Sequence, residues 1–249
     1  MTKRLLILGG TGEAAALAER AVDTFGDTVD IISSLAGRVA KPRHLPGHVR
    51  IGGFGGCDGL TRYIEMEKID LLIDATHPFA TTISATAHQA CRQTGTPRLI
   101  IARPPWPLPP CGKVIEVVDF TAAATTLSTL GRRAFLTFGH RGLEAFASLA
   151  QTDFLIRVIE KPKTPTPIPR AIIITGRPPF SLVDEKNLLQ EHEIDVLVSK
   201  NSGGASVPAK ITAALDLKIP IILIARPPIE PGEHVTGIEE ALYWVSGQI

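Results

Sequence analysis

The sequence has no excess of charge of either sign and no long hydrophobic run. Its 249 residues contain 26 Lys and Arg against 25 Asp and Glu, so binding to nucleic acid through net charge is disfavoured. The apolar run 5–8 is shorter than the ~7 to 15 residues of a signal-peptide core, and the run 221–225 is far shorter than the ~20 residues of a membrane span. We therefore expect a cytoplasmic protein that binds neither nucleic acid nor membrane.

Cysteine is also scarce. Cys57, Cys91 and Cys111 are odd in number and have neither CxxC spacing nor a neighbouring pair of histidines. This pattern predicts reduced, buried and chemically idle thiols and no metal site. Apolar residues make up 44% of the chain, which is enough for the core of one large or two small domains.

Short β-branched runs alternate with amphipathic stretches of about a dozen residues along the whole chain. The runs that we interpret as strands are 5–8, 29–33, 49–51, 71–74, 99–102 and 114–118, followed by 134–138, 154–159, 171–175, 196–199 and 221–225. Alternating strands and helices are typical of parallel sheets with helices on both faces. The sequence therefore predicts an α/β fold.

The second half of the chain repeats short sequence motifs of the first half. Residues 101–105 and 224–228 both read Ile-Ala-Arg-Pro-Pro, and a final helix follows each, at 121–130 and 238–245. The repeat predicts two similar lobes with parallel sheets facing a central cleft. We expect domains at 1–112 and 113–249, with a Pro-rich linker at about 104–112. Whether helix 121–130 packs on the first domain is left open.

The first strand leads into a Gly-rich turn and then a helix. Glycines allow close approach of a pyrophosphate, and the first N–H groups of the helix point at it. We assign Gly9, Gly10, Thr11, Gly12 and Glu13 to this contact. Because the spacing of these glycines departs from the G-x-G-x-x-G motif, a tight turn that binds no nucleotide is the alternative.

The second predicted strand ends without the Asp or Glu that accepts from the ribose 2′-OH of NAD. Ser33, Ser34 and Arg38 are present there instead, and hydroxyls with a guanidinium suit a 2′-phosphate. NADPH is therefore favoured over NADH. A solvated basic loop is the alternative reading.

Two further loops follow predicted strands. Residues 52–56 contain four glycines around Phe54, which suits a backbone that a flat ligand or the phosphates approach closely; we assign Gly53 and Thr76 to the cofactor. His77, beside Thr76, is a candidate proton donor or substrate contact. Alternatively, 52–56 is an ordinary flexible loop, Asp74 and Thr76 cap a helix that begins at Pro78, and His77 bonds the backbone.

Cations follow the strands of the second lobe. A crevice lined by so many cations indicates a polycarboxylate or phosphorylated ligand, although each cation alone is typical of a surface. The Pro-rich segment 161–170 is either a lid or a solvated loop. The predicted ligand-binding residues are His140, Arg141, Arg177, Lys200, Asn201, Ser202, Lys210 and Arg226.

Several of these motifs together resemble one family. The matching words are LILGGTGEA at 6–14, SLAGR at 34–38, DATHPFA at 74–80, RPPW at 103–106, TGR at 175–177 and SKNSGG at 199–204. They occur in order over almost the whole chain and are similar to the precorrin-6A reductase family, including its cobalt-precorrin-6A form. The pair Pro178-Pro179 after the TGR motif departs from what we expect there.

The resemblance implies two Rossmann-like domains, an NADPH-binding one followed by a tetrapyrrole-binding one. It also implies an NADPH-dependent reduction of the macrocycle, with hydride at C19 and a proton at C18, in cobalamin biosynthesis, and hand-over of the product to the next pathway enzyme. Substrate acetates and propionates would then bind the cations, with Arg177, Lys200 and Arg226 as the leading anchors. The metal state of the substrate and the source of the proton, whether His77, another side chain or water, stay open.

Two alternatives belong to other classes. A non-catalytic NADP(H)-sensing protein would keep the first-lobe turn but would have no reason for converging cations in the second lobe. A reductase of a smaller anionic metabolite would need only one or two of those cations.

Overall fold

A computed structural model describes residues 2–37, 44–108, 113–162, 164–204 and 207–249. Within them, the strands are β1 Lys3–Leu8, β2 Val29–Leu35, β3 His48–Ile51, β4 Leu71–Asp74, β5 Arg98–Ile101, β6 Val114–Val117, β7 Arg133–Leu136, β8 Asp153–Val158, β9 Ala171–Thr175, β10 Val196–Lys200, β11 Ile221–Ile224 and β12 Glu233–Val235. The α-helices are α1 Gly12–Phe25, α2 Cys57–Met66, α3 Thr81–Thr94, α4 Phe120–Leu130, α5 Leu182–Glu191, α6 Ala209–Asp216 and α7 Ile238–Ser246.

The strands form two parallel sheets with the same topology. One sheet has the order β12-β5-β4-β1-β2-β3 and the other has the order β6-β11-β10-β7-β8-β9. Their central strands are apolar on both faces because helices cover both sides; Leu5 to Leu8 and Ile221 to Ile224 are all almost fully buried. The predicted α/β fold with two parallel sheets is confirmed.

Helix α1 illustrates how the sequence builds these layers. The Thr11 hydroxyl caps the helix by accepting a hydrogen bond from the Ala14 N–H. Leu17, Ala18 and Ala21 then recur at helical spacing and are buried against β1, β2 and β4. On the other face of the same sheet, α2 and α3 cover a second apolar cluster.

The chain divides into two compact units that do not follow the expected boundary. One unit contains 1–104 and 227–249, and the other contains 105–226. After each Arg-Pro-Pro the chain enters the other unit, so that β12 pairs with β5 in the first sheet and β6 pairs with β11 in the second. The C-terminal segment therefore joins the first unit, whereas we expected it to continue a second domain over 113–249.

Each segment that crosses to the other unit carries a helix that packs there. Ala241, Leu242 and Val245 of α7 are buried in the same apolar cluster as Leu17 and Ala18 of α1. Helix α4 packs on β6, β10 and β11 of the second sheet, so it does not join the first unit. Each exchanged strand arrives with a helix that covers part of its new sheet.

Candidate functional site

In the first unit, the strand order reverses between β1 and β4, which is where ligands of doubly wound sheets bind. Thr11 fixes the Gly-rich turn at this point. Its hydroxyl accepts from the Ala14 N–H at 3.1 Å and donates to the carbonyl oxygen of Ala75, just after β4, at 2.8 Å. The turn is therefore anchored to both sides of the switch point.

The three glycines of the turn have different surroundings. A Cβ on Gly9 would lie 3.3 Å from the Ala14 Cβ, so glycine allows the turn to pack on α1. Gly10 has φ +106°, a conformation that other residues rarely adopt. Among the described residues, a Cβ on Gly12 would meet no atom within 4 Å apart from its chain neighbours and its own helix backbone, so packing does not explain glycine at that position.

Glu13 has a partner that sequence reasoning missed. Its carboxylate lies 3.0 Å from the guanidinium of Arg103, whose side chain is only 12% exposed. Burial lowers the pKa of Arg103 and the Glu13 charge opposes that shift. The repeat could have indicated Arg103, because it occupies the same position in the motif as the predicted anchor Arg226.

The residues expected to bind a 2′-phosphate are only partly described. Ser33 and Ser34 are buried inside β2, since the strand continues to Leu35. The Ser33 hydroxyl has no hydrogen-bond partner among the described residues. Arg38 lies outside the described residues, so its predicted role stays a prediction.

Arg50, at the end of β3, is a second residue that we missed. Its guanidinium donates to the Ser34 hydroxyl at 3.2 Å and to the carbonyl oxygens of Gly52 and Gly53 at 2.6 and 2.7 Å. It also lies 3.7 Å from the centroid of the Phe54 ring. These contacts join the Gly-rich loop 52–56 to the ends of β2 and β3.

Polar residues follow β4 on the other side of the switch point. The Thr76 hydroxyl and N–H both donate to the buried Asp74 carboxylate, at 2.7 and 3.1 Å. His77 Nδ1 accepts from the Phe79 N–H at 3.2 Å, as the backbone-bonding alternative expected. Helix α3 begins at Thr81 without a side-chain cap, so neither the predicted helix start at Pro78 nor the capping role of Asp74 and Thr76 is correct.

In the second unit, the strand order reverses between β7 and β10. The Lys210 amine, at the start of α6, donates to the hydroxyl of Thr137, directly after β7, at 2.9 Å. Burial lowers the pKa of Lys210 to about 8; the charges of Arg157 and Lys200 act in the same direction and that of Glu185 opposes them. Lys210 is thus a partly exposed residue whose amine is buried at the switch point.

Lys200 ends β10 beside two aromatic rings. Its Nζ lies 5.1 Å from the ring centroid of Phe120 and 5.8 Å from that of Phe138, within the range of cation–π attraction. Phe120 is the first residue of α4, which follows the exchanged strand β6. The exchange therefore supplies one wall around Lys200.

Asn201 connects Lys200 to the strand next to it. The Arg226 Nε donates to the Asn201 carbonyl oxygen at 3.0 Å, and the Asn201 N–H donates to the carbonyl oxygen of Ile224. The Asn201 side chain is 7% exposed, and its Oδ1 has no partner among the described residues. Ser202 follows, with its N–H bonded to the Lys200 carbonyl.

The other predicted cations are at the surface. His140 and Arg141 are exposed in the loop after β7. Arg177 is exposed after β9 and pairs with Glu160, which follows β8, at 2.9 Å. The Pro-rich segment 161–170 directly follows Glu160 and is docked at its far end, where Ile168 is 2% exposed; Lys163 lies outside the described residues.

A buried ion pair in the second unit was not predicted. Arg157 makes two bonds of 2.6 and 3.0 Å to the carboxylate of Glu185, which is 1% exposed. The Arg157 guanidinium lies 4.0 Å from the ring centroid of Phe180. A charge inside the apolar strand β8 was the available signal, since a buried charge requires a partner.

Among the described residues, no cluster of three or more His, Cys, Asp or Glu side chains could bind a metal ion. In the same part of the chain, every helix is too short or too polar to span a membrane.

Two doubly wound parallel sheets, one with a Gly-rich turn at its switch point, define an α/β protein with a Rossmann-like fold. A sequence profile of the precorrin-6x reductase CbiJ/CobK family matches residues 4–246. The chain belongs to this family, and it is therefore an oxidoreductase of cobalamin biosynthesis. The resemblance expected from the motifs is confirmed, and family membership decides against the non-catalytic sensor.

Individual relatives match over nearly their full length. A precorrin-6A reductase of Rhodococcus erythropolis is 46% identical over 243 residues, 97% of each chain. A precorrin-6A reductase of Mycobacterium tuberculosis is 45% identical over 246 residues, 98% of each chain. A cobalt-precorrin-6A reductase of Synechocystis is 29% identical over 91% of this chain and 90% of that protein.

The fold is similar to that of a solved structure as well. A structure titled CobK precorrin-6A reductase superimposes with a TM-score of 0.91 at 37% identity and covers 99% of this chain and 97% of its own.

Proposed function

We propose that this protein reduces precorrin-6A with NADPH, delivering hydride to C19 and a proton to C18 of the macrocycle. The observation that carries this proposal is the full-length similarity to proteins named precorrin-6A reductase, at 46% and 45% identity. The match to a cobalt-precorrin-6A reductase is weaker, at 29%. This difference favours the metal-free macrocycle over its cobalt form as substrate.

The described residues of the first unit fit a dinucleotide. Gly10 and Gly12 leave open space above the turn, and the unpaired N–H groups of the first turn of α1 would bind the pyrophosphate. Thr11 and Thr76 orient the two sides of the switch point, and loop 52–56, with Gly53, borders it. When bound, the dihydronicotinamide would supply the hydride.

The absence of a negative charge at the end of β2 supports the choice of NADPH over NADH. Strand β2 ends Ser33-Ser34-Leu35 without the acidic residue that would repel a 2′-phosphate. Because both serines are buried, we assign the direct phosphate contact to Arg38 first and give Ser33 and Ser34 a supporting role.

The second unit would bind the tetrapyrrole. Arg226 is hydrogen-bonded to Asn201, which directly follows Lys200 at the end of β10, and Arg177 with His140 and Arg141 provides exposed donors. Several separate cations suit the many carboxylates of the macrocycle periphery better than a small metabolite. His77 of the first unit is retained as a proposed ligand contact, and hand-over of the product to the next enzyme stays a prediction.

An anaerobic turnover assay tests the proposal. Precorrin-6A and its cobalt form are each mixed with NADPH or NADH, and nicotinamide oxidation is followed by absorbance. We expect the fastest turnover with metal-free precorrin-6A and NADPH. Absence of turnover with both macrocycles would contradict the proposed function.

Arg38→Ala tests the coenzyme preference separately. The variant should weaken NADPH binding at least ~10-fold and leave NADH binding nearly unchanged, because only NADPH has the 2′-phosphate. Equal losses for the two coenzymes would remove the proposed role of Arg38.

A further inference from the structure

The Lys210–Thr137 hydrogen bond spans the switch point of the second sheet. Thr137 directly follows β7, and Lys210 lies on α6, which follows β10. The strands β7 and β10 are parallel neighbours, and the strand order reverses between them. Thr11 makes the corresponding connection in the first unit, from the turn after β1 to Ala75 after β4. In the first unit a hydroxyl makes this connection, whereas in the second unit an ionisable amine does.

The groups around Lys210 make this amine different from the other cations. Thr137, Arg157 and Glu185 lie on the sheet face that α5 and α6 cover. The charged groups acting on the amine are Glu185 of α5, Arg157 of β8 and Lys200 of β10. Glu185 is bound by both nitrogens of Arg157 and acts on Lys210 through its charge; among the described residues, Arg157 is its salt-bridge partner.

This environment suits proton transfer better than it suits anchoring of a carboxylate. Among the described residues, the Lys210 amine has no salt bridge to a carboxylate, and a buried amine of this kind releases its proton more readily than a solvated lysine. Its pKa of about 8 leaves it mainly protonated at neutral pH and close to the optimum for a general acid. A guanidinium cannot take this role, because it does not release a proton near neutral pH.

We propose that Lys210 is the acid that delivers the proton to C18 of the macrocycle, with Thr137 as the residue that positions its amine. This inference rests on the proposed function. The N–H bond of the ammonium breaks and a C–H bond forms at C18, while the hydride forms the C–H bond at C19. The neutral amine then recovers a proton from water.

Substitution of Lys210 by arginine separates this role from anchoring. Lys210→Arg retains the positive charge and a hydrogen-bond donor but cannot supply the proton. We expect binding of precorrin-6A without NADPH, followed by its absorption spectrum, to change less than ~3-fold. The single-turnover rate of NADPH oxidation should fall by ~100-fold or more, as expected for loss of a general acid.

The pH profile provides a second measurement. The wild-type single-turnover rate should fall as the pH rises through about 8, because the ammonium form is lost. This decline should be absent from Lys210→Arg, and Thr137→Val should move it. Lys186→Arg is the matched control: Lys186 pairs with Asp216 across α5 and α6, and the variant should retain the wild-type rate and profile.

The outcomes distinguish the two proposals. If the wild type turns over precorrin-6A and Lys210→Arg does so at a similar rate or with the same alkaline decline, Lys210 is not the acid and the proposed function stands. A large loss of substrate binding in Lys210→Arg would identify an anchor instead. If the wild type itself shows no turnover with either macrocycle, both proposals fail.

Discussion

The carboxylate of Glu13 lies 3.0 Å from the guanidinium of Arg103, and this contact joins the first turn of α1 to the segment that follows β5. Arg103 belongs to the Arg-Pro-Pro motif at which the chain leaves the first unit. One ion pair thus links the Gly-rich turn to the start of the crossing segment.

Removal of the Glu13 charge should destabilise the protein. In Glu13→Gln, the mostly buried Arg103 would lose its ion pair with Glu13, and loss of such a pair costs several kcal/mol where both partners are fully buried. Because Glu13 is 35% exposed, we expect a smaller loss in the free energy of unfolding, about 1 to 2 kcal/mol. Urea denaturation measures this loss.

The ion pair Arg20–Glu239 provides the matched control, since it also involves α1 but its side chains are 51% and 73% exposed. Glu239→Gln should therefore cost less than ~0.5 kcal/mol. Equal losses in Glu13→Gln and Glu239→Gln would show that burial of the Glu13–Arg103 pair has no energetic consequence.

Gly12→Ala should affect coenzyme binding and leave folding intact. Among the described residues, its new Cβ would meet no atom within 4 Å apart from its chain neighbours and its own helix backbone, and alanine favours the helix that begins there. A pyrophosphate bound at the turn would contact the methyl group, so we expect NADPH to bind at least ~10-fold more weakly in a fluorescence titration.

Gly237→Ala is the control for this experiment. Gly237 likewise lies at the start of a helix, as the residue before α7, and has open space around its Cβ position, but it is not part of the Gly-rich turn. The control should bind NADPH with wild-type affinity. If Gly12→Ala does so too, the pyrophosphate does not lie at the turn.

The sequence predicted the two sheets and the Gly-rich turn because both depend on local patterns. Apolar runs alternating with amphipathic stretches indicate parallel strands and helices, and the Gly-rich turn is a short contiguous sequence motif. The exchange of β6 and β12 could not be predicted. Each strand follows the same Arg-Pro-Pro motif, and only contacts with a distant sheet determine its partner.

The errors at the site also have physical reasons. Pairing of Leu35 with Ile51 extends β2 beyond its predicted end, which buries Ser33 and Ser34. The ion pairs Glu13–Arg103 and Arg157–Glu185 join residues far apart in the chain. Residue types suggest such charges, but only the packed structure shows which charges pair.

Two of the cysteines should differ sharply in reactivity. Cys91 is 5% exposed, and burial raises its pKa to about 12, so very little thiolate forms at pH 8. Cys57 is less buried. We expect iodoacetamide to alkylate Cys57 at least ~100-fold faster than Cys91 in the folded protein, because the thiolate is the reactive form.

Peptide mass spectrometry of samples taken over time would measure both rates. In urea, the two cysteines should react at similar rates, which provides the internal control. Comparable rates in the folded protein would contradict the burial of Cys91.

The stability of the protein should depend on pH through Lys210. The pKa of its amine is about 8 in the folded protein and ~10.4 in an unfolded chain. Between these values the unfolded state binds more protons, so the free energy of unfolding rises with pH. Relative to Lys210→Met, the wild type should gain up to ~3 kcal/mol from pH 8 to pH 10.5 and should be the less stable protein at pH 7.

Urea denaturation of both proteins across this pH range measures the effect. Lys186→Met reports the consequence of losing a partly exposed lysine that is paired with Asp216 on the neighbouring helix. Its stability should be below that of the wild type at pH 7, since a favourable ion pair is lost, whereas Lys210→Met should be above it because a buried charge is removed. Parallel pH curves for the wild type and Lys210→Met would show that the Lys210 amine is not desolvated in the folded protein.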